Sequence, residues 1–408
     1  MGILEPDVRY DGCNDECKGL AMLNMEELEL RDRRVLIRED FNVPINDKGE
    51  ITDDSRLKAS LATITKAYLA GATVIIMSHL GRPKEGQSDS SLSLEAVAGK
   101  LGSLLDMPVG FEKNWINGFK TEHQSITLVE NVRFLTGEAS NDSSLAKKMG
   151  QLCDIFVNDA FATSHRAHAS THGVAKYAVT ACCGPLMKKE IEVLTKALNR
   201  PERPLVAIVG GAKVSSKLDI INSLAKKVDH LIVGGGIANT CLKSEGFEIG
   251  ASLYEEDMIE IAAQIMKSSA EIPLPEEVVC GKKFTVEATA QIKSIHEVEE
   301  DDMIMDVGPK SMKSIKNIIK NAGTILWNGP LGVFEFKNFA DGTKELAEQI
   351  ANSQAFSIAG GGDTLAAISN FSVAEKISYI STGGGAFLEF IEGKKLPAIE
   401  ILEQRGTD

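Results

Sequence analysis

Basic side chains recur just downstream of short apolar runs in this chain of 408 residues, whose formal net charge is −14. RVLIR is followed by Asp40 and Asn42, ATVIIMS by His79 and Arg82, SITLVE by Arg133, and CDIFVND by His165, Arg166 and His168, while Arg56 opens the helical stretch after the first run. A guanidinium fork binds carboxylate or phosphate through two parallel hydrogen bonds, and imidazole adds further donors. Asp40 and Asn42 suit a hydroxyl on the same ligand, since one accepts and the other also donates. The set therefore fits a small polyanion. Any single arginine here could instead pair with a surface carboxylate, and any single histidine could fill a core gap. A whole set ending successive apolar runs argues for one common rim.

A second constellation is built on glycine. IVGGAKVSSK (208–217) puts two glycines at the end of an apolar run and then Lys213 and Lys217, four apart on one face of an expected helix. FSIAGGGDT (356–364) places Gly361, Gly362, Asp363 and Thr364 at a helix start, where backbone N–H groups favour phosphate and Asp363 could hold Mg²⁺. WNGPLGVFEF (327–336) offers apolar and backbone surface for a base, with Glu335 able to accept from ribose hydroxyls and Trp327 expected in the core. Neither glycine segment is a Walker A loop or a G-x-G-x-x-G fingerprint, and glycines also let helices pack closely on sheets. The glycine signal alone is thus weak, and it gains weight from the lysines and the Asp-Thr pair beside it.

The elements that carry both sets follow from periodicity. Runs at 34–38, 72–78, 125–130 and 153–159 read as buried parallel strands, and 55–72 has the helical period with Gly71 as its stop. KKEIEVLTKALNRPERP (188–204) reads as a long helix ended by prolines, after which PLVAIVGG, HLIVGGG, GTILWNG, FSIAGGG and SYISTGGG read as further strands running into glycine. This alternation is α/β, and the expected architecture is two doubly wound, Rossmann-like parallel-sheet domains joined by a long helix and hinge. In such sheets ligands bind beyond the carboxyl ends of the strands, where both constellations fall. One lobe for an anion and one for a nucleotide, facing each other, make a phosphoryl transferase.

Composition narrows the classes further. A hydrophobic fraction of 43% and a charged fraction of 25% are those of a folded globular protein, and the length exceeds what one core usually serves. A pI near 5.1 excludes a protein that coats nucleic acid or an anionic membrane. The opening residues carry neither a basic segment nor an apolar one, so a cytoplasmic location is expected. An odd cysteine count of 7 suits a reducing compartment, and Cys13 and Cys17 lack the second ligand pair that zinc requires. Residues 1–24 are polar and without clear period, as in a mobile extension.

FNVP, MSHLGRP, NDAF followed by HRAH, GGAKV, IVGGGIANT, WNGPLGVFE, GGGDT and STGGGA occur in this order between about residues 34 and 393, and with them the chain resembles the phosphoglycerate kinase family. The resemblance implies reversible transfer of the acyl phosphate of 1,3-bisphosphoglycerate to ADP, giving 3-phosphoglycerate and ATP. Carried over by motif, it puts Asp40, Phe41, Asn42, Arg56, His79, Leu80, Gly81, Arg82, Arg133 and Arg166 on the phosphoglycerate. It puts Lys213, Lys217, Gly235, Gly236, Asn328, Glu335, Gly361, Gly362, Asp363 and Thr364 on ATP or ADP, with Asp363 on Mg²⁺. Arg56 and Lys217 are then the catalytic pair, reaching the transferring phosphoryl group from opposite domains, while His165 and His168 shape or support their loop. The resemblance also implies a monomer that closes by hinge bending and has no nucleic-acid or membrane partner. Its domains would be 1–184 with 393–408 for the substrate, 185–202 as the interdomain helix, and 203–392 for the nucleotide, with the C-terminal tail returning to the first. Lys310 stands where the family often has an acidic residue and Ala162 where it often has glycine; neither is in the catalytic set.

Two other readings compete. A nucleotide-dependent dehydrogenase needs a G-x-G-x-x-G fingerprint followed about twenty residues later by an acid, and that fingerprint is absent. A non-enzymatic two-lobed anion-binding protein would leave the lysines and the Gly-Gly-Asp-Thr segment unexplained.

Overall fold

The computed structural model describes residues 22–46 and 48–406. Six strands, β1 (Arg34–Arg38), β2 (Thr73–Met77), β3 (Gly110–Glu112), β4 (Ile126–Val129), β5 (Ile155–Asn158) and β6 (Thr180–Cys183), form one sheet in the order β3-β4-β2-β1-β5-β6. All of its neighbouring pairs are parallel. Successive side chains of a strand point to opposite faces, and here each face has its own core. Leu36, Ile75 and Phe156 feed one cluster, whereas Val35, Ile37, Val74 and Ile76 feed another. Burial on both faces is why these strands read as unbroken apolar runs rather than as alternation.

The second lobe has β7 (Leu205–Gly210), β8 (His230–Gly234), β9 (Glu277–Gly281), β10 (Gln291–Ser294), β11 (Met303–Val307), β12 (Thr324–Asn328), β13 (Phe356–Gly360) and β14 (Tyr379–Ser381). Five of them form a parallel sheet in the order β14-β13-β12-β7-β8, and the other three form an antiparallel one in the order β10-β9-β11. The antiparallel sheet was not anticipated; β10 is half-exposed and reads QIKS, which carries no apolar run. Strands β3 and β6 also escaped notice, β3 being three residues long with no buried position.

The helix Ser55–Leu69 stops as expected, with Gly71 at φ +87°. The connecting helix runs Pro185–Asn199, starting earlier than residue 188 because Pro185 occupies its first turn, where a missing N–H is harmless. It buries Met187, Ile191 and Leu194, and also Glu190, whose carboxylate accepts from Tyr379 and Ser381 of β14. The tail helix Pro397–Gly406 returns to the first lobe, where Arg405 donates to the carbonyls of Ala178 (3.1 Å) and Val179 (3.0 Å).

Of the expected extension 1–24, residues 1–21 lie outside the described residues, as do Cys13 and Cys17. Leu23 already belongs to the fold, its carbonyl accepting from the Cys183 amide at 2.9 Å. Cys153, Cys182, Cys183, Cys241 and Cys280 are all free and buried. Among the described residues no helix is long and apolar enough to cross a membrane.

The end of β7 shows why glycine is required there. A Cβ on Gly210 would lie 1.7 Å from the Pro330 carbonyl oxygen, and one on Gly234 at the end of β8 would lie 2.5 Å from the same atom. Gly210→Ala is therefore expected to destabilise the chain by about 3 kcal/mol, the upper range for overpacking. Urea unfolding of the variant beside wild type measures this.

Candidate active site

The first pocket starts from the end of β1. Arg38 is buried, with Nη2 3.3 Å from His79 Nδ1 and Nε donating to Ser170 Oγ at 3.2 Å. Asp40 receives the Arg56 guanidinium and stands 3.8 Å from His79 Nδ1. Asn42 Oδ1 accepts from the Gly81 amide at 2.8 Å, which ties the loop after β1 to the loop after β2. Asn131, after β4, holds that second loop through the Leu80 carbonyl at 2.8 Å, and the Arg133 guanidinium donates to the Gly81 carbonyl. After β5, Arg166 Nε donates to His165 Nε2 at 3.1 Å. These loops enclose a cleft of about 500 Å³ lined by Asp40, Asn42, Arg56, His79, Gly81, Arg82, Arg133, Arg166 and the two histidines His165 and His168. The rim expected from strand ends is thus one surface. Phe41 and Leu80 turn their side chains into the core, so any contact from them is through backbone.

The electrostatics of the cleft call for an anion. Burial, then Arg38, Arg133 and Arg56, hold His79 well below the usual imidazole range. Burial, then Arg133 and Arg166, push His168 down to about 4. Both imidazoles are therefore neutral at pH 7 and leave the positive charge to the arginines. Arg133 itself is lowered to about 10, by burial first and then by Arg38 and Arg166. Buried Glu138, bound to Ser170 through its amide at 3.0 Å and its hydroxyl, is the inner counter-charge. Arg38 and Glu138 were missed from sequence: Arg38 closes the run RVLIR and looks like strand, and Glu138 follows no apolar run.

The second lobe reaches the same cleft. Thr382, Gly383, Gly384 and Gly385, after β14, line it beside the arginines. A Cβ on Gly385 would lie 3.1 Å from His165 Nε2, so backbone of one lobe meets side chain of the other. SYISTGGG was read as a strand end, without a role in this pocket.

The other pocket centres on Lys217. Its Nζ donates to the Gly210 carbonyl (2.6 Å) and to Asn328 Oδ1 (2.7 Å), across the ends of β7 and β12. Burial pushes this amine down to about 8, with Asp363 opposing. The expected helix over both lysines is instead a loop with a tight turn at Ser215–Lys217, the regular helix beginning at Leu218. Lys213 is exposed, whereas Lys217 is partly buried. Thr364 accepts from the Gly329 amide at 2.7 Å and donates to the Gly360 carbonyl at 2.9 Å, locking β12 to the start of the helix Gly362–Asn370. The glycines there divide in purpose. Gly360 makes room for the Phe387 ring, whereas Gly361 has φ +99° and a Cβ on Gly362 would meet open space. Gly236 likewise packs on backbone, since a Cβ there would be 2.1 Å from the Ala212 carbonyl.

Beside this cradle is a slot of about 540 Å³ whose walls include Val233, Gly235, Ala238, Leu274, Ile304 and Leu331. Its volume and its apolar residues, with Asn239 and Ser311 among the polar ones, suit a nucleobase. Val233, Gly235, Ala238 and Leu331 belong to IVGGGIANT and WNGPLGVFE, whereas Leu274 and Ile304 come from segments that no motif marks. Trp327 is core, as expected, its Nε1 donating to the Gly329 carbonyl at 2.9 Å. Glu335 is exposed and lies outside the slot's lining.

A family model described as phosphoglycerate kinase matches residues 25–394. Among solved structures the chain is similar to phosphoglycerate kinase from Coxiella burnetii, with 49% identity and a TM-score of 0.91 over 94% of this chain and 100% of that one. It is also similar to phosphoglycerate kinase from Pyrococcus horikoshii OT3, with 31% identity and a TM-score of 0.79 over 95% of this chain and 99% of that one.

Proposed function

The chain belongs to the phosphoglycerate kinase family, and we propose that it performs the family reaction with the two pockets described above. That reaction is reversible phosphoryl transfer from 1,3-bisphosphoglycerate to ADP, giving 3-phosphoglycerate and ATP. The observation that carries the assignment of residues is the convergence of Arg56, Arg82, Arg133 and Arg166 with neutral His79 on one cleft that the other lobe's Thr382–Gly385 loop also lines.

The glycerate binds there, its phosphate and carboxylate on the guanidinium forks and its hydroxyl on Asp40 and Asn42. The base of ADP or ATP enters the apolar slot, and its phosphates run past Gly361, Gly362 and Thr364 to Lys217. No general base is needed, because the nucleophile is a phosphate oxygen in one direction and a carboxylate in the other. Positioning and charge do the work. Arg56 and Lys217 hold the transferring group from opposite lobes, and burial of Lys217 strengthens its field by excluding water. Asp363, an exposed carboxylate opening the helix Gly362–Asn370 near Lys217, fits Mg²⁺, a hard ion that binds by one or two carboxylates plus phosphate oxygens and water. When bound, Mg²⁺ neutralises charge along the phosphate chain.

The lobes are taken as 1–184 with 393–408 and 203–392, joined by 185–202, and the Glu190 contact with β14 sits at their junction. Closure about this junction excludes water from the transfer. The enzyme is taken to act as a cytoplasmic monomer, in keeping with its free cysteines.

A coupled spectrophotometric assay with 3-phosphoglycerate, ATP and Mg²⁺ tests the reading; no turnover, together with no thermal stabilisation by ATP, would refute it. In the same assay Arg166→Ala is expected to raise KM for 3-phosphoglycerate by about tenfold or more, the loss of a charge-assisted pair, with KM for ATP within about twofold. Affinity for ADP should also fall as pH rises through about 8. Above that value Lys217 of the free protein is neutral, and binding the phosphates requires the amine to take up a proton from solvent, which weakens the affinity. Calorimetric titration at pH 7 and pH 9 reads this, and equal affinities at both would exclude it.

A further inference from the structure

Asp306, on β11, takes no part in either pocket's chemistry, yet it is buried and lines the apolar slot. Its Oδ2 accepts from the Gly342 amide at 2.7 Å, in the first turn of the helix Asp341–Asn352. The residue before that helix, Ala340, offers no side-chain cap, so a carboxylate from another strand supplies the missing acceptor at a positive helix end. A bulge between Ile304 and Asp306 accompanies this placement, as bulges commonly re-aim a side chain. Two glycines leave space for it: a Cβ on Gly332 or Gly342 would lie 2.3 or 2.4 Å from Asp306 Oδ1.

The same helical turn holds the loop that walls the slot. Thr343 Oγ1 accepts from the amides of Leu331 (3.1 Å) and Gly332 (3.3 Å). Val333 N donates to the Met305 carbonyl at 2.8 Å, and the Leu331 carbonyl accepts from Gly235 N at 2.8 Å. Loop 329–333 is therefore suspended between β11, the helix start and Gly235. We propose that Asp306 is a positioning residue for nucleotide binding: by fixing the start of the helix Asp341–Asn352 it sets Thr343, and through Thr343 the Leu331 wall of the base slot. This rests on reading the slot as the nucleobase site.

A neutral cap would serve stability better, since Asp306 Oδ1 has no hydrogen-bond partner and a buried carboxylate without a counter-ion is costly. Burial pushes its carboxyl up to about 7, and Asp341 adds to the rise. The other titratable groups on the elements packed around it are Lys310, paired with Glu276 at 2.8 Å, Lys313, which also lines the slot, Lys316 and Lys320 on the helix after β11, Glu277 and Cys280 on β9, Glu335 after the loop, and Lys344, Glu345 and Glu348 on the capped helix, Glu345 being paired with Lys316. None of the described cations is paired with Asp306. The charged carboxylate holds the helix start more firmly than the protonated one, so the contribution is present above pH 7 and lost below it.

The test compares steady-state constants for Asp306→Asn with wild type. At pH 8 the variant should raise KM for ADP about three- to tenfold, the size of a charge at a helix N-terminus. Its kcat and its KM for 1,3-bisphosphoglycerate should stay within about twofold, and the ratio of variant to wild-type KM for ADP should fall towards one at pH 6. An unchanged KM for ADP, equal losses in every constant, or a ratio independent of pH would overturn the role. Should Asp306→Asn not fold, Thr343→Val should raise KM for ADP while Thr343→Ser restores it, and equal values for the two would be equally fatal. Ser314→Trp, an exposed position lining the slot, separates this failure from that of the underlying reading. A raised KM for ADP in Ser314→Trp with none in Asp306→Asn sinks the positioning role alone, whereas no effect of Ser314→Trp sinks the slot itself and the inference with it.

Discussion

Lys217→Ala is expected to lower kcat by about 10³-fold while the dissociation constant for ADP rises less than about tenfold. The asymmetry follows from where the amine sits. Its Nζ is already held by the Gly210 carbonyl and Asn328 Oδ1 at 2.6 and 2.7 Å, so it is oriented before the nucleotide arrives. Its burial means that charge developing on the transferred group meets it at low dielectric. Ground-state binding is shared with the base slot and the helix start at Gly362, which Ala leaves intact. Lys217→Arg should not rescue, because a planar fork does not fit the two oxygens that a compact ammonium bridges. Single-turnover and equilibrium-binding measurements separate the two effects; a variant with raised KM and unchanged kcat would remove Lys217 from the transfer step.

Arg56→Ala should reduce kcat by about 10²- to 10³-fold, with KM for ATP within about twofold. Arg56 pairs with Asp40, so truncation both removes the cation and leaves that carboxylate facing the substrate's own negative charge. Arg56→Lys should recover only part of the rate, since it keeps charge but loses the fork. The measurement is kcat with both substrates saturating; a loss confined to KM for 3-phosphoglycerate would make Arg56 a binding residue only.

Much of this site is legible in the sequence, because parallel strands buried on both faces announce themselves as apolar runs and ligands gather at their carboxyl ends. His79, Arg82, Arg133 and Arg166 each stand just past such a run, and the structure brings them to one cleft. The start of the connecting helix shifts by three positions, from 188 to Pro185, and its end falls at Asn199. What could not be read depends on contacts far apart in sequence. Arg38 looks like the last residue of a strand, and only the folded chain puts its guanidinium 3.3 Å from His79. The base slot borrows Leu274 and Ile304 from segments that none of the quoted motifs covers. Lys213 and Lys217 share a helical spacing, yet the stretch between them is a tight turn at Ser215–Lys217 and regular helix begins only at Leu218. Glycines illustrate the same limit. Gly210 and Gly362 both end or follow a strand, but one is required by a carbonyl 1.7 Å from its would-be Cβ and the other faces open space.

The central claim is that side chains of both lobes act on one phosphoryl group. A crystal structure grown with ADP, 3-phosphoglycerate, Mg²⁺ and a planar metal fluoride in place of that group tests it most directly. The account predicts closed lobes, with the fluoride between the substrate carboxylate and the ADP phosphate and within hydrogen-bond distance of both Arg56 and Lys217. A fluoride touched from one lobe only, with Arg56 still bound to Asp40, would contradict it.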